Sequence, residues 1–229
     1  MQQRACNELS FAAAPFDMKS YEQLVAGYGR FRQGEWQTER ARWAELKDGQ
    51  APEVMVIACS DSRVDPAQIF DAGPGEIFVV RNVAAMVPPF ETTMGQHGVS
   101  AAVEFAVQFL GVREIVVMGH GACGGCKAAL TRDLYGNALG EGGFVARWVS
   151  MLDDTRDRIV QTFGSEGTEA ELQMELAAVR QSLSNLRTFP FVAEKEQSGD
   201  LMLHGAHFAI ADGILRRLDS NGGAFTSAA

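Results

Sequence analysis

Ile115-Val116-Val117-Met118-Gly119-His120-Gly121-Ala122-Cys123-Gly124-Gly125-Cys126 is the stretch on which the reading of this chain turns. Its first four residues are apolar and three of them β-branched, the composition of a short strand buried on both faces. The run then breaks into glycines, which leave room for tight turning and close backbone approach. Among those glycines stand one imidazole and two thiols. From Gly124 onward the chain opens a helix, so Cys123 stands near a helix amino terminus, where the dipole favours a thiolate.

Working outward, Gly98 to Leu110 carries Val99, Val103, Ala106, Val107 and Leu110 at helical spacing. Before it, Ile77-Phe78-Val79-Val80 is a second apolar run, introduced by the turn Gly73-Pro74-Gly75. A third, Val54-Met55-Val56-Ile57-Ala58, leads into Cys59-Ser60-Asp61-Ser62-Arg63. Strand, helix and strand in this order predict a parallel sheet with right-handed crossovers, hence an α/β fold. After Cys126 the chain reads largely helical, with clear segments at Phe144 to Val160 and Glu169 to Leu186. A late strand from Leu201 to Leu203, or somewhat longer, precedes an expected final helix near Ala209 to Leu218. Tyr21 to Phe31 and Trp36 to Leu46 read as two amphipathic helices parted by Gly34. The expected organisation is an N-terminal helical arm over residues 1–50, part of the same domain, a catalytic core over 51–220 and a fraying tail over 221–229.

The 229 residues are 46% hydrophobic, enough for one substantial core. Lys and Arg number 20 against 29 Asp and Glu, and the resulting net charge of -9 speaks against binding nucleic-acid phosphates. No window approaches the roughly 18 consecutive apolar residues that cross a bilayer, so no membrane partner is expected. Met1 to Phe16 lacks the basic stretch, apolar run and cleavage pattern of a secretory signal. Cys6, Cys59, Cys123 and Cys126 are too unevenly placed for a disulfide framework. Free thiols fit a reducing interior, and the expected location is cytoplasmic.

Two apolar strands thus end in chemically unusual residues, and ligands of open parallel sheets gather at the carboxyl ends of strands. A lone buried cysteine is more often a small core hydrophobe than a ligand. Cys59, His120 and Cys123 delivered to one sheet edge are another matter, because zinc takes sulfur and nitrogen in tetrahedral geometry. Three protein ligands leave one position open, which is the catalytic pattern. From spacing alone that position belongs to water, Asp61 or Cys126, and Cys126 there would close the site into a structural one. Asp61 and Arg63 point the same way if their segment is extended. Arg63 then clamps Asp61 as a bidentate pair, keeping a carboxylate ionised beside the metal.

These residues resemble the β-class carbonic anhydrases, and several positions resemble that family's plant-like branch. The resemblance is carried by Cys59 to Val64, Gly75 to Ala84, His97 to Ala106, Gly119-His120 and Cys123-Gly124-Gly125, and it extends from about Gln33 to Leu218. It implies a mainly parallel sheet of four or five strands flanked by helices, with homodimers as the basic unit and often tetramers or octamers. It also implies one Zn2+ per subunit on Cys59, His120 and Cys123, and reversible hydration of carbon dioxide to bicarbonate by attack of zinc-bound hydroxide. In the family's open form water takes the fourth place while Asp61 pairs with Arg63; in its closed form Asp61 binds the metal. Cys126 matches no ligand position. Gln50 matches a glutamine that donates to bound substrate, and it favours the permanently open branch. With a backbone N–H near Gly125 it would hold an oxygen of forming bicarbonate. Phe78 and Val83 match apolar pocket positions near the dimer interface. Phe105 stands where that branch often has tyrosine, so the pocket lacks one hydroxyl. His97 and His204 are candidate proton shuttles, each equally readable as structural. Two rival readings remain: a hydrolase of carbonyl sulfide or carbon disulfide using the same chemistry, and a non-catalytic zinc-stabilised assembly protein.

Overall fold

The computed structural model describes residues 19–93, 95–219 and 223–228. Cys6 and the segment Met1 to Phe16 lie outside the described residues. The chain divides into two units, Met1–Asp48 and Gly49–Ala229. In the first, helices α1 (Tyr21–Gln33), α2 (Glu35–Thr38) and α3 (Arg40–Leu46) follow one another. Ser20 opens α1 with a reciprocal cap: its Oγ accepts the Gln23 N–H while Gln23 Oε1 accepts the Ser20 N–H. Gly34 ends that helix as expected, but the second expected helix is broken at Glu39 into α2 and α3. Inside this unit Phe31 meets Trp43 edge-on at 6.1 Å, and the Arg32 guanidinium lies 3.9 Å over the Trp36 ring.

The second unit is built on strands β1 (Val54–Cys59), β2 (Ile77–Asn82), β3 (Glu114–His120), β4 (Met202–Ala209), β5 (Ile214–Leu218) and β6 (Phe225–Ser227). Its helices are α4 (Pro66–Ile69), α5 (Gly98–Glu104), α6 (Gly124–Thr131), α7 (Gly143–Val149), α8 (Asp153–Phe163), α9 (Thr168–Leu186) and α10 (Pro190–Ser198). The sheet runs β2-β1-β3-β4-β5-β6; the first four strands are parallel, and β5 pairs antiparallel with both β4 and β6. The α/β, mainly parallel architecture is as the sequence predicts, with six strands among the described residues rather than four or five. The continuous apolar runs follow from two-sided burial. Met55, Ile57, Ile115 and Val117 pack with Val103, Val107, Leu183 and Leu186 on one face, while Val56, Ala58 and Met118 pack together apart from them.

Four further expectations need correction. The Gly98 to Leu110 helix is α-helical only to Glu104, then widens into a π-helical turn through Phe105–Leu110. The 144–160 helix is interrupted by a 3-10 turn at Ser150–Leu152. The final helix near Ala209 to Leu218 does not form. Instead the Gly213 N–H donates to the Ala209 carbonyl at 2.9 Å, Gly213 takes a φ of 68°, and β5 returns antiparallel along β4. Asp212-Gly213 is a hairpin signal, whereas Ile214, Leu215 and Leu218 also fit a helical stripe. Beyond it, Phe225–Ser227 of the expected fraying tail pairs with β5 as a sixth strand, its Phe225 ring 4.9 Å from the Arg180 guanidinium.

Register places the site. Ala58 aligns with Met118, so β1 and β3 end side by side and present Cys59 and His120 at one edge. Helix α9 crosses close over β3 at Gly119, where a Cβ would meet Val179 Cγ2 at 2.7 Å.

Candidate metal centre

Cys59 ends β1, His120 ends β3, and Cys123, directly after the two-residue turn at Gly121 and Ala122, caps α6. All three are buried, and their ligand atoms lie within 4.8 Å of one another. The two sulfurs are 4.0 Å apart. The His120 Nδ1 lies 2.9 Å from the Gly121 carbonyl, which fixes that nitrogen as the donor and leaves the Nε2 lone pair facing the sulfurs. That Nε2 is buried without a hydrogen-bond partner. A buried nitrogen with no hydrogen-bond partner, beside two buried sulfurs, is a donor set that fits a metal cation.

The electrostatics agree. Hydrogen bonding to Cys123, then burial, pushes the Cys59 thiol up to about 12. Cys123 is pushed up too, through its hydrogen bond with Cys126 and through burial. Neither thiol ionises unaided here, and a divalent ion reverses that balance. Sulfur, sulfur and nitrogen suit zinc, so the residues fit one Zn2+ per subunit. Cys126 is a buried free thiol on α6 and stays outside the set of three, which leaves the site open.

Beside the cluster, Asp61 Oδ1 accepts from Arg63 Nε at 2.8 Å and from the Arg63 N–H at 3.0 Å, and Oδ2 accepts from Arg63 Nη2 at 2.7 Å. This clasp holds the Asp61 carboxyl down to about 2. Its Oδ2 sits 3.9 Å from His120 Nε2, next to the position a metal would take. The expected bidentate pair is therefore formed, and Asp61 is turned to Arg63.

The remaining sequence candidates separate. Gly125 meets Val83, since a Cβ there would stand 2.7 Å from Val83 Cγ1 and 3.0 Å from Ala84 Cβ. Phe78 and Phe105 pack together at 5.9 Å. Phe78 pairs with Met55, four residues before Cys59 on the neighbouring strand, which is about 13 Å along the sheet from the metal edge. Within one chain they do not reach the cluster. Gln50 is exposed on the lead-in to β1. His97 lies 3.4 Å from Glu91 and 3.0 Å from the Thr93 carbonyl, and His204 lies 3.0 Å from Glu114 at the far end of β3.

Sequence reasoning missed Arg81 as part of the site. From β2 it donates to the Cys59 carbonyl at 2.9 Å, the Asp61 carbonyl at 2.7 Å and Asp65 Oδ2 at 2.9 Å, tying down the ligand-bearing loop. The available signal was a lone cation closing an otherwise apolar strand. Also missed were Glu175 and His207, buried behind Cys123.

A mainly parallel sheet carrying an open Cys-His-Cys centre at its carboxyl edge defines a mononuclear zinc enzyme. Residues 54–215 match the family described as "Carbonic anhydrase". The chain is 32% identical over 201 residues to beta carbonic anhydrase 3 of Arabidopsis thaliana, covering 86% of this chain and 76% of that protein. It is likewise 32% identical to a carbonic anhydrase of Synechocystis, over 86% of this chain and 71% of that one. The solved β-carbonic anhydrase CcaA superposes with a TM-score of 0.82 at 31% identity, over 90% of this chain and 98% of that one. The β-carbonic anhydrase CafA of Aspergillus fumigatus superposes with a TM-score of 0.76 at 29% identity, over 88% and 91%. The chain belongs to the carbonic anhydrase family, in its β class.

Proposed function

We propose that this centre carries out the reversible hydration of carbon dioxide to bicarbonate and a proton, with Asp61 and Arg63 as its catalytic pair. The observation that carries the reading is the Cys59-His120-Cys123 cluster with an ionised carboxylate oxygen 3.9 Å from its nitrogen. Zinc held by Cys59, His120 and Cys123 would supply a nucleophile from water at neutral pH. Asp61 Oδ2 keeps a lone pair beyond its bond to Arg63, and accepts a hydrogen from the attacking water to set its orientation. Arg63 keeps that carboxylate ionised and, by holding both of its oxygens, keeps Asp61 out of the ligand set. Val83, close against Gly125, provides an apolar wall for carbon dioxide, and the bare Gly125 lets a backbone N–H approach forming bicarbonate.

The pocket is completed by a second copy of the chain. Phe105 is 44% exposed and Phe109 73%, stacked on each other at 5.8 Å with Phe78 behind them, far from their own metal edge. A homodimer places such a patch, with Gln50, against the partner's metal edge. The clasped Asp61 and Gln50 both favour the plant-like, permanently open branch over a gated one. Among the described residues no helix is long and apolar enough to cross a membrane; the free, buried thiols favour the cytoplasm.

The test is a parallel assay of zinc-quantified protein on carbon dioxide, carbonyl sulfide and carbon disulfide. Turnover of carbon dioxide as the preferred substrate is expected. Zinc-loaded protein that ignores carbon dioxide, or prefers a sulfur compound, contradicts the proposal.

A further inference from the structure

The peptide joining Ala122 to Cys123 is gripped on both sides. Its carbonyl accepts Arg63 Nη2 at 3.0 Å, and its N–H donates to Glu175 Oε1 at 3.1 Å. The peptide needs holding, because Ala122 has a φ of 54°, a left-handed conformation that costs a residue with a Cβ about 1 kcal/mol or more.

Glu175 comes from α9 and is only 4% exposed. Its other oxygen lies 2.9 Å from Nε2 of His207, a residue of β4 that is 1% exposed and aligned with Gly119 of β3. A Cβ at Gly119 would collide with Val179 Cγ2 at 2.7 Å and lie 3.8 Å from the His207 ring, so the bare glycine admits both α9 and the imidazole. Burying a carboxylate is costly unless its bonds are made, and an apolar side chain would suit a helix-on-sheet contact better. This fold buries one and gives it two donors, the His207 ring and the amide of a metal ligand.

We propose that Glu175, oriented by His207, is a positioning residue of the metal centre. It fixes the rotation of the Ala122–Cys123 peptide from behind while Arg63 fixes it from the front. The direction of the Cys123 side chain follows, and its sulfur is held 4.0 Å from that of Cys59 ready for the ion. The inference rests on the Cys59-His120-Cys123 reading of the site.

The test measures how fast zinc leaves the loaded protein into excess chelator, with metal content and folding checked for each variant. Glu175→Ala is expected to release zinc about 10- to 100-fold faster than the wild type. Glu175→Gln is expected to stay within about threefold, because its amide oxygen still accepts the Cys123 N–H and His207 can change tautomer to accept from its NH2. Val179→Ala, which opens a cavity on the same helix without touching the carboxylate, is expected to match the wild type. Wild-type release from Glu175→Ala overturns the proposal, as does Glu175→Gln releasing as fast as Glu175→Ala, or Val179→Ala matching it. Where Glu175→Ala does not fold, Glu175→Asp decides: one methylene too short to serve both donors, it is expected to release zinc about tenfold faster, and wild-type release overturns the proposal. Wild-type protein that binds no zinc refutes the ligand assignment itself, a distinct result.

Discussion

At the scale of single residues, Asp61 has both oxygens on Arg63 and still faces the metal position at 3.9 Å from His120 Nε2. An Asp61→Asn variant keeps the shape and loses the charge. It is expected to retain one zinc per subunit while hydration falls on the order of 100-fold, measured by stopped flow against metal content. Because the clasp lowers this carboxyl to about 2 from an ordinary 3.8, its contribution to stability is present above that ordinary value and lost as pH falls through about 2. Its titration therefore does not shape the rate at neutral pH. Cys126 lies outside the ligand set, so Cys126→Ser is expected to leave zinc content unchanged, as checked by metal analysis. Cys59, His120 and Cys123 were legible because rare residue types ended apolar runs. Glu175 and His207 were not, since an acidic residue in a helix and a histidine in a strand gain meaning only when folding brings them within 2.9 Å across 32 residues.

At the scale of elements, the contact between α6 and the chain after β2 depends on the missing side chain at Gly125. Gly125→Ala pushes a methyl to 2.7 Å from Val83 Cγ1 and 3.0 Å from Ala84 Cβ, and is expected to destabilise the fold by about 1–3 kcal/mol in denaturant melts. The parallel half of the sheet could be read from the sequence because its strands are buried on both faces and therefore uniformly apolar. The antiparallel end was misread for the converse reason. β5 is half-exposed, and its apolar residues fall at spacings a helix shares, so the Asp212-Gly213 turn was the deciding signal. The π-helical turn at Phe105–Leu110 had no sequence signal at all, since its residues fit the α-helical pattern.

At the scale of the whole molecule, the exposed aromatic patch predicts assembly. Sedimentation is expected to show a dimer or a multiple of it, and Phe109→Glu to weaken association on the order of tenfold or more with loss of activity. Phe78, Phe105 and Gln50 could be named as expected pocket residues only through resemblance, because the proposed pocket shared between copies would leave no spacing pattern within one chain. Metal loading links the site to pH. Both thiols hold their protons without the ion, Cys59 up to about 12, so binding displaces two protons and zinc affinity falls about 100-fold per unit of acidification. Chelator competition at several pH values checks this slope.

The central claim is that three buried side chains hold one ion with a place left for solvent, and that this ion does the chemistry. Stopped-flow hydration of carbon dioxide, followed as zinc is titrated into metal-free protein from about pH 6.5 to about 9, addresses it directly. Activity that rises linearly and stops at one zinc per subunit, at every pH in that range, is the predicted result. Full zinc occupancy without hydration, or hydration that persists in the metal-free protein, contradicts it.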